Sequence, residues 1–297
     1  MRPQLKQLQD NQSGVFTYAQ ALCEYTPDEL RARVHRGSWV QVFHAVYRQE
    51  LTPPTAGLRV EAARLSMRLP LLAAGYGTAA ELHGFSVLDV DVTHVLGVQR
   101  SRPGQLIVHR DRIDSSDLTV VYRTLATTPA RTAVDLARKL SRLDAIATLD
   151  AALRGGLSRP MLDLELPRHR GRRGYRQAAE LIGLSDDRAE SPMESRMRLR
   201  CLDAGLPHPE PQYEVWTPTG LRRLDLGWPD WRLGLEYDSA TWHSGPAAAL
   251  RDNPRHNWLT TTGWTIQYAT APDVYHHPHH FTEPIRHAIH GSHIGAI

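Results

Sequence analysis

Asp225, Glu236, Asp238 and His243 stand close together in the stretch RRLDLGWPDWRLGLEYDSATWHSG. Asp225 closes one short apolar-alternating run, and Glu236 with Asp238 closes a second, so two paired strands would present the acids together. Carboxylates brought side by side in a half-buried place repel one another and are costly to desolvate, and a shared cation relieves both effects. A metal site is one reading of this pattern. An antiparallel hairpin with solvated acids at its rim is the other, and spacing leaves both open.

The elements that must carry these residues follow from turn and cap signals. Ser191-Pro192-Met193-Glu194 opens a helix that runs through Cys201, with Ser191 as N-cap and Glu194 as its capping-box partner. Residues 212–216 read as a strand, Thr217-Pro218-Thr219-Gly220 as a turn, and residues 221–226 as the first acidic strand. The resulting order is helix, strand, turn, acidic strand, acidic strand, helix, strand.

At 297 residues the chain is long for one core and is expected to form several domains. The formal net charge is +3 with a sequence pI of about 9.0, a basicity that fits a nucleic-acid partner. Lysine occurs only as Lys6 and Lys139, so the C-terminal third has no lysine to offer a catalytic site. No apolar run approaches the roughly 20 residues that span a bilayer, and the polar opening MRPQLKQLQD lacks a signal-peptide core. A soluble, cytoplasmic protein with no membrane partner is expected. Cys23 and Cys201 lie far apart, without zinc or disulfide spacing, and are expected to be buried free thiols.

Near the start, Val15, Ala19 and Leu22 fall on one helical face. Thr26-Pro27-Asp28-Glu29 then supplies an N-cap, a first-turn proline and a capping-box glutamate, so a second helix begins at Pro27. It carries Arg31, Arg33, His35 and Arg36, and Gly37 sits where a left-handed cap ends it. The β-rich residues Trp39 to Tyr47 would fold back as a wing. Helix, turn, basic helix and wing point to a winged helix-turn-helix over 1–52, with Arg31, Arg33 and Arg36 as DNA contacts; a solvated basic helix on a small helical subdomain is the other reading.

Pro53 and Pro54 read as a linker into a central α+β domain, 53–157. There VTHVLGV, QLIVHR and LTVVYR read as strands, and residues 128–140 and 143–153 as helices. His83, His94 and His109 are singly spaced, as packing or surface histidines would be, and Asp135 with Arg131 reads as a surface ion pair. RHRGRRGYR at 168–176, the densest basic run, falls in a region of basic linker and helices, 158–186; such a run neutralises phosphates or stays solvated. The histidine-rich HHPHH of 276–280 reads as a surface run.

Two resemblances join these observations. The head, with Gly37-Ser38-Trp39 and Val46-Tyr47, and the central stretches TAAELHGF and TTPARTAVDLA resemble the abortive-infection (AbiEi) type IV antitoxin family of bacteria; Ala45 stands where such relatives usually carry glycine. Residues 187–297, through Ser-Pro-x-Glu at 191–194, RLDLGW, Glu236-Tyr237-Asp238, Trp242-His243, Arg251-Asp252, Arg255 and Gly263-Trp264, resemble the very-short-patch repair (Vsr)-like branch of the PD-(D/E)XK nuclease superfamily.

The second resemblance implies a restriction-endonuclease-like mixed sheet flanked by helices, within a multi-domain α/β protein. It assigns Asp225, Glu236 and Glu194 to a Mg2+ (or Mn2+) ion that activates water for phosphodiester hydrolysis. His243 would be the general acid or base, Asp252 its orienting partner or a member of the polar network, and Arg251 and Arg255 phosphate contacts. Asp238 stands where the superfamily usually has lysine and cannot stabilise a hydroxide as a cation would. The leading expectation is a DNA-binding protein with a metal-dependent endonuclease domain. The alternative is a non-catalytic antitoxin-like transcriptional regulator that binds DNA through its head, with a cognate toxin protein as partner.

Overall fold

A computed structural model describes residues 1–88, 92–101, 105–217, 220–238 and 263–291 as a mixed α/β protein with several sheets. The chain forms two compact units, Met1–Leu136 and Ala137–Ile297. Among the described residues no helix is long and apolar enough to cross a membrane.

The first unit begins with α1 (Pro3–Asn11), β1 (Val15–Thr17), α2 (Tyr18–Ala21), α3 (Pro27–His35), β2 (Trp39–Phe43) and β3 (Val46–Gln49), the strands forming a sheet in the order β1-β3-β2. The expected first helix through Val15 and Leu22 is instead β1 followed by the single turn of α2. Val15 and Phe16 are buried and pair with Arg48 and Tyr47, so sheet pairing overrides the helical spacing. The α3 caps form as the chain dictates: Thr26 Oγ1 accepts the Glu29 N–H, and Glu29 accepts the Thr26 N–H at 2.8 Å. Ala45, in the β2–β3 connection, has φ 59°, the left-handed region that glycine occupies without strain. The head closes over Leu5, Phe16, Tyr25, Leu30 and Trp39.

The same unit continues with α4 (Ala56–Met67), β4 (Ala73–Ala74), α5 (Tyr76–His83), β5 (Thr93–Leu96), β6 (Leu106–His109), β7 (Leu118–Val121), β8 (Thr124–Thr127) and α6 (Pro129–Lys139), which runs on into the second unit. The five strands order β6-β5-β4-β8-β7. LTVVYR is not one isolated strand. It is β7 and the start of a two-residue hairpin, because Tyr122 (φ 46°) and Arg123 (φ 68°) both turn left-handed and bring Val121 opposite Thr124. Nor is Asp135 at the surface: Arg131 and Asp135 are 2% and 1% exposed, and Arg131 bridges Asp135 (2.6 Å) and Asp117 (2.9 Å).

The second unit holds α7 (Arg142–Arg154), α8 (Arg159–Glu165), α9 (Tyr175–Leu184) and α10 (Pro192–Asp203), then β9 (Glu210–Thr217), β10 (Gly220–Trp228), β11 (Leu233–Tyr237), β12 (Thr265–Ala269), α11 (Ala271–His276) and α12 (His279–Gly291). The sheet order is β12-β11-β10-β9, antiparallel through β11 and parallel between β11 and β12. One face packs Leu226, Trp228 and Leu235 against Met197, Phe281 and Ile285. Cys201 is buried and its thiol is pushed up by burial; Cys23, expected inside, is exposed.

Candidate functional site

In the head, the basic helix is mounted by its caps, and its arginines are not equivalent. Arg31 is exposed and pairs with Asp28 at 2.5 Å. Arg36 is exposed and returns its Nε to the Ala32 carbonyl at 3.1 Å. Arg33 lies with its guanidinium 4.9 Å from the Tyr25 ring and 5.3 Å from the Trp39 ring, so part of its work is packing.

In the second unit, the acids Glu194, Asp225 and Glu236 come from three adjoining elements. Ser191 Oγ caps α10 by accepting the Glu194 N–H, but the carboxylate does not complete the expected reciprocal box. Its Oε2 accepts instead from the Glu190 N–H (2.8 Å) and from Gln212 Nε2 (2.7 Å) on β9. Gln212 has φ 55° and falls between the Pro211/Leu226 and Tyr213/Leu224 pairs, opposite Asp225. The strand switches faces there: Leu224 joins Val215 and Ile266, while Leu226 joins Trp228 and Leu235. Regular alternation would keep both leucines on one face.

The β10–β11 ladder ends at Leu226/Leu235. Immediately beyond it, Asp225 Oδ2 accepts the Tyr237 N–H at 2.7 Å. Glu236, 9% exposed, is the neighbour of that amide and lies opposite Tyr268 of β12. Asp238 donates its N–H to the Ala269 carbonyl at 2.9 Å. His243, Arg251, Asp252 and Arg255 lie outside the described residues.

Helix α10 is anchored by buried charge. Arg196 reaches Asp144 (3.0 Å) and Arg198 reaches Asp150 (2.8 Å) on α7. Burial raises the Asp150 carboxyl above its usual range, with Arg198 opposing it.

Oxygen donors suit Mg2+ or Mn2+. Yet among the described residues no group of three or more His, Cys, Asp or Glu side chains is gathered to hold a metal ion. Asp225 and Glu194 also spend carboxylate oxygens on protein N–H groups. The described acids do not by themselves make a metal shell.

Two groups escaped the sequence. Gln212 carried no signal, since its role arises from a backbone irregularity. Of the three histidines read as packing or surface residues, His94 and His109 are paired, His94 Nδ1 and His109 Nε2 lying 2.9 Å apart on the neighbouring parallel strands β5 and β6, while His83 Nε2 lies 2.8 Å from the Thr127 carbonyl. Tyr76 stacks on His109 at 3.8 Å and donates its hydroxyl to Asp111 at 2.6 Å. Burial lowers the His94 pKa.

Residues 73–186 match the family described as the AbiEi antitoxin C-terminal domain, so the central region is antitoxin-like. The match takes in β4 to α9 and stops before α10. Two relatives, the uncharacterized proteins Rv2248 of Mycobacterium tuberculosis (strain ATCC 25618 / H37Rv) and MT2308 of strain CDC 1551 / Oshkosh, are each 42% identical over 257 residues, covering 85% of this chain and 93% of theirs. The chain belongs to the same family as these mycobacterial proteins.

Proposed function

We propose that the protein is an antitoxin-like DNA-binding regulator whose head reads duplex DNA through α3, with the β2–β3 hairpin as a wing and a cognate toxin as its functional partner. The observation that carries this reading is a doubly capped basic helix, exposing Arg31, His35 and Arg36, followed directly by an antiparallel hairpin, in a chain whose residues 73–186 match an antitoxin domain. Arg31 and Arg36 contact DNA, and Arg33 holds the helix against Tyr25 and Trp39. The test is binding to duplexes selected from a random pool. Arg31→Glu/Arg36→Glu should lose the sequence-selective complex, and equally selective binding by that variant would overturn the reading.

A second reading is favoured by the acids of the C-terminal sheet. Asp225 sits beside Glu236 at the end of a ladder, and Gln212 ties Glu194 to the same sheet. The succession α10, β9, β10, β11, β12, with the last pair parallel, supports a restriction-endonuclease-like core. Phosphodiester hydrolysis would then require the described acids together with His243 and Asp252. Nicking of plasmid DNA in Mg2+ or Mn2+, abolished by Asp225→Asn, would support it, and identical nicking by that variant would sink it.

A further inference from the structure

We propose that the arginine loop at 168–176 is a preformed surface for the phosphate backbone of duplex DNA, distinct from the head. Residues 166–176, LPRHRGRRGYR, contain arginines at 168, 170, 172, 173 and 176 and no acid. The solvated-linker reading does not describe this segment, because its backbone is fastened from several sides. His169 is fully buried with Nε2 2.8 Å from Glu165, and Arg138 Nη1 donates to the Arg173 carbonyl at 3.0 Å. Gly171 (φ 81°) and Gly174 (φ 80°) make the left-handed corners, and Gly174 lies so close against the Arg138 carbonyl that a Cβ has no room. Just beyond, Gln177 Nε2 donates to the Ala137 (2.8 Å) and Leu140 (3.1 Å) carbonyls at the end of α6.

What this scaffold presents is uncompensated positive charge. Arg168 is paired with Glu165 at 2.8 Å. Arg170, Arg173 and Arg176 are exposed, and their side chains make no hydrogen bond or ion pair among the described residues. Guanidinium groups on a fixed backbone repel one another, and a row of phosphates relieves that repulsion while matching the planar fork of each arginine. Because the loop is already ordered, binding loses little backbone entropy. The contacts carry no base preference, so this surface would add affinity and salt dependence rather than selectivity.

The inference stands on the loop alone and survives failure of the head reading. Its test is fluorescence anisotropy of the full chain with a random-sequence duplex of about 30 base pairs across a KCl series. Arg170→Glu/Arg173→Glu/Arg176→Glu should weaken binding to every sequence alike and reduce the slope of log K against log salt by about 2 to 3, near 0.9 per lost phosphate contact. The milder Arg170→Gln/Arg173→Gln/Arg176→Gln set should fall between parent and triple glutamate, with the parental melting temperature. Arg31→Glu/Arg36→Glu, by contrast, should remove sequence preference and leave this component in place. Parental affinity and slope in the well-folded glutamine set would overturn the proposal. So would arginine-dependent binding to anionic phospholipid vesicles without duplex binding.

Discussion

Asp225 accepts the backbone N–H of Tyr237 through Oδ2 at 2.7 Å, which holds its carboxylate at the point where the β10–β11 ladder ends beside Glu236. Asparagine keeps an acceptor oxygen in that place, whereas alanine leaves the amide without its partner. Asp225→Asn is therefore expected to melt near the parent, and Asp225→Ala to lose about 1 kcal/mol. Urea unfolding of the two variants checks this; equal stability would show that the bond contributes nothing measurable.

The buried bridge from Arg131 to Asp117 and Asp135 is expected to be the most sensitive charge cluster of the first unit. Arg131→Met leaves two carboxylates in a dry interior and should cost about 3–5 kcal/mol or prevent folding. Arg131→Met/Asp117→Asn/Asp135→Asn should recover part of the loss. Calorimetric melting of both would show it, and a single variant that melts like the parent would refute burial of the cluster.

Gly174 has φ 80° and packs against the Arg138 carbonyl. Gly174→Ala adds both left-handed strain, about 1–3 kcal/mol, and a clash with backbone that cannot rotate away. Gly171 shares the positive φ with open space around it, so Gly171→Ala should cost clearly less. The order of the two melting temperatures is the measurement, and a reversed order would contradict the docked loop.

Ala45→Gly should act in the opposite direction. Alanine at φ 59° carries strain that glycine lacks, and the gain exceeds the added freedom of the unfolded chain by about 0.5–1 kcal/mol. A lower midpoint for Ala45→Gly in chemical denaturation would be inconsistent with a left-handed residue there.

His94 gives the first unit a pH dependence. Burial depresses its pKa below the ordinary 6.5, so the unfolded chain takes up a proton where the folded chain does not. The stability associated with this group is therefore present above about 6.5 and is lost as pH falls through the lower folded value. Melting temperature should drop on acidification, and His94→Gln should flatten that limb. An unchanged pH profile in the variant would remove His94 as the cause.

Much of the head was legible because caps and turns are local. Thr26, Pro27, Glu29 and Gly37 act within a few residues of one another, and α3 forms where they place it. The spacing of Arg131 and Asp135 on one helix was equally plain, but whether that face meets water depends on Asp117, elsewhere in the chain. Val15 shows the reverse case: a helical period was present, and pairing with Arg48 overrode it.

Chain chemistry alone was enough for the capped basic helix, the basic loop and the two acidic strands, since backbone propensity, capping and charge are properties of neighbours in sequence. Only the tertiary structure decided that His94 meets His109, that Gln212 turns left-handed opposite Asp225 and reaches Glu194, and that Arg131 is dry. Each of these depends on which distant strands lie side by side and on how much water their packing removes, and no local pattern encodes either.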